Sequence, residues 1–411
     1  MNSWKIYKIG DLTEPIKKSV NPTKLNSPLP YIGLEHIQEK AFLLNGVGNS
    51  TDVESNKYSF QINDILYGKL RPYFQKVYKP KFNGICSTDI LVFRSVTDEI
   101  IGQDYLYQII RNKFFTDWAM EGYTGTRMPR ADWAVLKNKE ILIPPKIEQE
   151  QICKILSSLD DKIELNLEMN ITIEEMAMAI YKEWFVDFGP FKNGEFVESE
   201  LGLIPKGWKI TSLFETGKFI NGAAFRSDDF TTKNIGIPII KISELKNGIT
   251  KQTNFANKNY DKKYLLGENE YDILFSWSGS PETSLNIFFW IDGLAWLNQH
   301  IFKVIPEPNL RYWLIYTLKY LKKFFINLAK NKQTTGLGHV TVSDLKTKII
   351  FLPIKSVLDE YNAIISPIHN LFISNLKENR FLIETRDYLL PKLISGEIRV
   401  KDAENDVKNI V

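Results

Sequence analysis

Cysteine is almost missing from this sequence: Cys86 and Cys153 are the only two in 411 residues. They lie far apart and fit neither a disulfide framework nor a zinc spacing, so a reducing compartment, the cytoplasm, is expected. The opening Met1-Asn2-Ser3-Trp4-Lys5 has no apolar run behind a basic one, so no secretory signal is expected. Long hydrophobic runs are lacking too. The most apolar stretch, 286–297, is short, carries Asp292, and cannot cross a bilayer as a helix. Histidine is scarce, and His36, His300, His339 and His369 contain no close pair that could hold zinc.

The motifs of common catalysts are also absent. A nucleotide hydrolase needs a Gly-rich loop ending in Gly-Lys-Ser/Thr, and Tyr67-Gly68-Lys69-Leu70 has neither the leading glycine nor the hydroxyl. Gly336-Leu337-Gly338 lacks the third glycine of a dinucleotide loop. An amino-methyltransferase needs a polar residue before a Pro-Pro-aromatic turn. Ile143-Pro144-Pro145-Lys146 has an apolar residue before and a lysine after, which reads as a hinge from a domain into a helix. A nuclease centre would have to be drawn from Asp64, Asp89 and Lys69 to hold Mg²⁺. Asp64 has a counterpart in Asp272, however, and Lys69 has none. The expectation is a chain with no catalytic residue, no metal site and no cofactor of its own.

What is present is a globular composition, 44% hydrophobic and 25% charged, in a chain long enough for two to four domains. Net charge is +3, which neither demands nor excludes a nucleic-acid partner, because 52 Lys plus Arg are enough to build one basic face. The main signal is internal repetition at a lag of about 200 residues. Trp4-Lys5-Ile6 returns as Trp208-Lys209-Ile210. Pro30-Tyr31-Ile32 with Glu35-His36-Ile37 is echoed by Pro238-Ile239-Ile240 with Ser243-Glu244-Leu245. Asp64-Ile65-Leu66-Tyr67 returns as Asp272-Ile273-Leu274-Phe275, Thr124-Gly125 as Thr335-Gly336, and Ile143-Pro144 as Leu352-Pro353. The order is kept throughout.

Each half passes from short strand-like runs, such as Asp89-Ile90-Leu91-Val92-Phe93, into a long helical pattern. From Glu148 to about Phe188 the residues Ile152, Ile155, Leu156, Leu159, Ile163, Leu167, Met176, Ala177, Ile180 and Trp184 recur at helical spacing. From Ser356 to Ile394 the same holds for Leu358, Tyr361, Ile365, Ile368, Phe372, Leu376, Leu382, Ile383, Leu389 and Leu393. Pro367 and Pro391 interrupt that stripe, which predicts a kink at one and an end near the other. A lone helix of roughly 60 Å has nowhere to bury its stripe, so the two are expected to pair as a coiled coil. The alternative is that each helix folds back on its own domain. The Gly- and Pro-bearing segment between the halves reads as a turn-rich linker.

The loops between repeated anchors differ most. The first half offers Lys69, Arg71 and Tyr73 in one segment, and Thr124, Thr126, Arg127 and Arg130 in another. The second half offers Arg226, Trp277, Ser278, Asn298, Gln299, His300, Lys332, Gln333, Thr335 and His339. Arg and Lys suit guanine, Asn and Gln suit adenine, hydroxyls suit either, and cations also neutralise phosphates. One scaffold carrying divergent loops is what two separate DNA readers would look like.

These features together resemble the specificity subunit of type I restriction-modification systems over nearly the whole chain. The resemblance is carried by the run from Asp64 to Tyr73, by Ile143-Pro144-Pro145 followed by Glu148-Gln149-Glu150-Gln151-Ile152, by Leu203-Ile204-Pro205-Lys206-Gly207-Trp208, and by Leu390-Pro391-Lys392-Leu393-Ile394-Ser395-Gly396-Glu397-Ile398. It implies an α+β architecture with internal duplication: target-recognition domains over 1–146 and 205–354 and long helices over 147–190 and 355–398 packed as an antiparallel coiled coil. A linker at 191–204 and a tail at 399–411 complete the division. Each domain would read one half of a split, asymmetric double-stranded DNA site, and helix length would set the unread gap. The helices, through Ile152, Leu159, Ile163, Ile180, Trp184, Tyr361, Ile365, Phe372 and Leu389, would form the spacer and dock two methyltransferase subunits. Restriction subunits would join them, and S-adenosylmethionine, ATP and Mg would sit on those partners. The second domain departs from the family in carrying Trp277-Ser278-Gly279-Ser280 where the first has Gly68-Lys69-Leu70-Arg71-Pro72, which implies two different half-sites.

Overall fold

The computed structural model describes residues 4–121, 128–231, 235–257, 260–332 and 338–403. Two helices dominate it, Lys146–Phe185 of 40 residues and Lys355–Ser395 of 41. The chain divides into two compact units, one of Met1–Ile163 with Arg380–Val411 and the other of Glu164–Asn379. Both boundaries fall inside the long helices, so each unit contains one globular domain and a stretch of each helix.

In the first unit, Ile65–Gly68 and Ile90–Ser95 lie next to each other in a four-stranded antiparallel sheet, flanked by Thr13–Ile16 and Val77–Tyr78. Ile65, Leu66, Tyr67, Val92 and Phe93 are all fully buried, which is why these strands read as continuous apolar runs rather than alternating ones. A second sheet of five strands has the order Ser19–Val20, Lys57–Phe60, Gly84–Cys86, Pro30–Ile32, Gly48–Asn49, and in it Tyr31 pairs in parallel with Ile85. Ile32, Phe60, Leu66, Cys86 and Val92 form one core cluster. Lys5–Lys8 pairs with Glu140–Ile143 and brings the two ends of the domain together at the root of the first long helix. There the buried Gln149 side chain accepts from Gly102 N at 3.0 Å and donates to Ile100 O at 2.8 Å and Pro144 O at 2.9 Å.

The second unit repeats this plan, with one strand fewer in its second sheet. Gly217–Asn221, Ile301–Pro306, Asp272–Ser276 and Asn286–Trp290 form its four-stranded antiparallel sheet in that order. Phe255–Ala256, Ile237–Ile240, Ala295–Leu297 and Leu265–Leu266 form the other, with Ile239 parallel to Trp296. Lys209–Ser212 pairs with Ile349–Leu352, the counterpart of the closing pair in the first unit. The sequence repeat is therefore a repeat of topology that includes the parallel pairing of Tyr31 with Ile85 and of Ile239 with Trp296.

Within each unit the two long helices run antiparallel. In the second unit Asn166 meets Asn379, Asn170 meets Asn375, and Phe185 meets Tyr361, so one chain position rises as its partner falls. In the first unit Arg386 reaches back to Asp160 at 3.2 Å. The second helix runs unbroken through Pro367 and ends at Ser395, one turn past Pro391, so its end falls near the second proline as expected. A proline forfeits one backbone hydrogen bond, but Tyr361, Ile365, Ile373, Leu389 and Leu393 are buried on either side and hold the helix in place. The expected linker also carries structure, a turn at Gly189–Phe191 and a hairpin of Phe196–Ser199 with Gly202–Pro205.

Candidate nucleic-acid interface

The repeated aspartates are anchors rather than reactive groups. Asp64 is buried and accepts from Gln61 N at 2.7 Å and from Arg94 Nε at 2.7 Å. Asp272 is equally buried and accepts from Gly267 N at 2.7 Å, with Lys303 Nζ at 3.3 Å. Each carboxylate thus satisfies the turn leading into the central strand of its sheet. An unpaired carboxylate at that depth would be costly, and the lost turn bond adds to it.

Immediately after each of those strands three segments cross. In the first domain Lys69 N donates to Asp89 O at 2.9 Å, Ala131 N donates to Lys69 O at 2.7 Å, and Arg71 N donates to Pro129 O at 2.7 Å. These main-chain bonds bring together the loops that sequence had marked separately. Lys69 Nζ lies 3.8 Å and Arg130 NH2 3.7 Å from the Asp89 carboxylate. Arg71 has left-handed backbone (φ 52) and its guanidinium stands 6.0 Å from the Phe74 ring. Tyr73 is exposed, with its ring edge-on to Phe74.

The second domain builds the same crossing from different side chains. Trp277 N donates to His300 O at 3.1 Å, and Val340 N donates to Trp277 O at 2.9 Å. Ser278 pairs with His339 across the strand. Trp277 therefore occupies the place of Lys69, His300 that of Asp89, and His339 that of Arg130. The Trp277 indole donates to Asn221 Oδ1 at 3.0 Å and its ring lies 5.3 Å from that of His300. Desolvation lowers the His300 pKa below its ordinary value. Asn298 N donates to Ile240 O, and Gln299 N to Ala223 O at 2.8 Å, which ties this loop to the sheet edge.

Other expected contacts are placed differently. Lys332 is paired with Asp344, which also caps the helix behind Thr341, so this cation is engaged within its own domain. Arg226 is exposed at the start of a short turn, its N–H bonded to Asp229 at 3.0 Å. Thr124, Thr126, Arg127, Gln333 and Thr335 lie outside the described residues. Among the helix residues, Ile152, Leu159, Ile163, Tyr361, Ile365 and Leu389 are buried, while Ile180, Trp184 and Phe372 are half-buried against the core of the second unit. The six buried side chains hold the protein's own interior and leave no surface for another chain. The apolar side chains that the helices do expose are different ones, including Leu165, Ile171, Met176, Leu371, Phe381 and Tyr388. Sequence reasoning missed Asn221, and met Asp89 only as a possible nuclease ligand. Its place beside Lys69 and Arg130 depends on strand register, which no local pattern carries.

Among the described residues no group of three or more His, Cys, Asp or Glu gathers as a metal site would require. No described helix is long and apolar enough to cross a membrane.

Comparison with known proteins agrees with this architecture. Residues 1–175 and 205–380 each match the model of the type I restriction modification DNA specificity domain. The chain is 29% identical to the type I restriction enzyme MjaIX specificity subunit of Methanocaldococcus jannaschii, over 97% of this chain and 94% of that protein. It is 24% identical to the HindI specificity subunit of Haemophilus influenzae, over 97% of this chain and all of the relative. The crystal structure of the type I restriction-modification S subunit from M. genitalium shares the fold, with a TM-score of 0.53 at 16% identity, covering 95% of this chain and 96% of that one. With two copies of its domain in one chain, the protein belongs to the family of type I restriction modification DNA specificity domains.

Proposed function

We propose that this chain is the reader of a bipartite, asymmetric double-stranded DNA site, with one half assigned to each globular domain. The observation that carries this reading is the pair of crossings: one main-chain arrangement, built twice, presenting Lys69, Asp89 and Arg130 in one domain and Trp277, His300 and His339 in the other. A shared frame with different side chains supports recognition of two unlike half-sites. In this reading the long helices fix the gap between half-sites. Their exposed apolar side chains dock two methyltransferase subunits, to which restriction subunits are added in the full complex. S-adenosylmethionine, ATP and Mg²⁺ belong to those partners, the chain itself catalyses nothing, and the complex works in the cytoplasm. The test is to map methylated adenines genome-wide in cells with and without the gene. Loss of one split motif on deletion supports the reading, and an unchanged methylation pattern in cells that express the chain counts against it.

A further inference from the structure

Resting on that DNA-reading role, we propose that the crossing is the base selector of each half, and that in the first domain it reads a G·C pair through Lys69 and Arg130 on guanine and Asp89 on cytosine. A carboxylate beside DNA repels phosphates, so its presence between two cations needs a reason. Asp89 is only partly buried, and its side chain keeps a third of its surface exposed. No desolvated core demands it, unlike Asp64. It does two things that a phosphate-binding patch would not. It holds Lys69 Nζ at 3.8 Å and Arg130 NH2 at 3.7 Å from one oxygen, which draws both cations away from the backbone of the DNA and toward a common point. It also offers an acceptor, and the cytosine amino group is the major-groove donor that a carboxylate matches, while guanine presents acceptors to Lys and Arg.

The second domain supplies the contrast. Its crossing has the same main-chain bonds but carries Trp277, His300 and His339, with neither a carboxylate nor a lysine or arginine at the three positions. His300 holds its place with left-handed backbone, φ 86, and its carbonyl takes Trp277 N. The three positions differ in kind between domains while the frame is constant, as a selector requires.

The experiment is selection of bound sequences from a randomised duplex pool by the full-length chain, compared with Asp89→Asn and His300→Asn. Asn tolerates the left-handed backbone at position 300, so that substitution keeps the loop. The wild type is expected to select a split motif with a G·C pair in one half. Asp89→Asn is expected to weaken the preference at that one pair by about tenfold, the scale of one good base contact. It should also bind random duplex more tightly, with the logarithmic salt slope steeper by about one as a cation is freed for a phosphate. Melting temperature should hold, and Asp89→Glu should restore part of the preference. His300→Asn should alter the other half only. If Asp89→Asn keeps both the motif and the salt slope of the wild type, the selector is overturned while the DNA-reading role stands. If the wild type selects no motif at all, both fall.

Discussion

Arg111 donates to Asp160 Oδ2 at 2.6 Å, and its side chain is fully buried between the first domain and the first long helix. The other oxygen of that carboxylate takes Arg386 of the second long helix at 3.2 Å. Both guanidinium groups also stand over the ring of Phe42, at 5.1 and 4.9 Å. Arg386 has a second carboxylate, Asp387 Oδ1, at 2.8 Å, whereas Arg111 has Asp160 and the Gln108 amide oxygen at 2.8 Å, so domain and helices meet at one polar knot centred on Asp160. Asp160→Ala leaves buried Arg111 without a counter-ion, while Arg386 keeps Asp387, and is expected to destabilise the first unit by about 3 kcal/mol, the low end for a broken buried pair because Asp160 is itself partly exposed. Chemical denaturation of the wild type and the variant reads this. A loss under about 1 kcal/mol would mean that Phe42 and water suffice.

A second polar layer sits in the helix pair of the other unit. Asn166 Nδ2 donates to Asn379 Oδ1 at 3.0 Å, and Asn375 Nδ2 to Asn170 Oδ1 at 3.0 Å, with all four side chains buried. Buried amides in a helical seam specify register at some cost in stability. Asn166→Leu alone should cost about 1–3 kcal/mol, because it strands polar groups on the facing helix. Asn166→Leu with Asn379→Leu should cost less than the sum of the two singles. A double-mutant cycle by urea unfolding decides this, and strict additivity would show that the two amides are not coupled.

His369 predicts a pH dependence. Its ring is buried among Tyr271, Phe289, Tyr312, Tyr316 and Phe372, with Nδ1 and the Tyr316 hydroxyl 3.2 Å apart. Burial, then the nearby Lys319 and Arg311, push its pKa from the ordinary 6.5 down to about 3. The unfolded chain takes up a proton between those values and the folded chain does not. The stability associated with neutral His369 is therefore complete above pH 6.5 and declines as pH falls toward 3. His369→Gln should flatten the pH profile of stability in that window, by at most about 1.4 kcal/mol per pH unit. Parallel profiles for wild type and variant, from denaturant midpoints at pH 7, 6 and 5, would remove His369 from the account.

The spacer role makes its own prediction. Deleting about two turns from both long helices in matched positions shortens each by about 10 Å, which is about three base pairs along the duplex. The methylated motif should keep both half-sites and lose about three unread positions between them. The sequence context of modified adenines checks this directly, and an unchanged gap would separate helix length from spacing.

Much of this fold could be read from residues alone, because its strongest signals are local. The long apolar stripes placed the first helix within a few residues of Lys146–Phe185, and the repeated Asp-Ile-Leu runs marked the central strand of each sheet. The hairpin of Phe196–Ser199 with Gly202–Pro205 was hidden by Gly202 and Pro205, residue types that also mark ordinary linkers. The unbroken passage of the second helix through Pro367 was hidden because packing, not propensity, decides it. In the candidate interface, Lys69, Arg71, Arg130 and Trp277 stood out by chemistry, yet their grouping depends on pairing between segments far apart in sequence. Lys332 looked like a free cation until Asp344 was seen to hold it.

The first unit is discontinuous in a way that matters during synthesis. Its opening part ends at Ile163, and its closing part begins only at Arg380. The second unit lies wholly between them and leaves the ribosome complete while the first still lacks a side. At about 5–20 residues per second that wait lasts on the order of ten seconds or more. Through it Asp160 lacks Arg386, and Trp4, bonded to Glu148 at 2.9 Å, lacks the Gly396 turn that packs on its ring. A nascent chain halted before Arg380 therefore lacks both Arg386 beside Asp160 and the Gly396 turn beside Trp4.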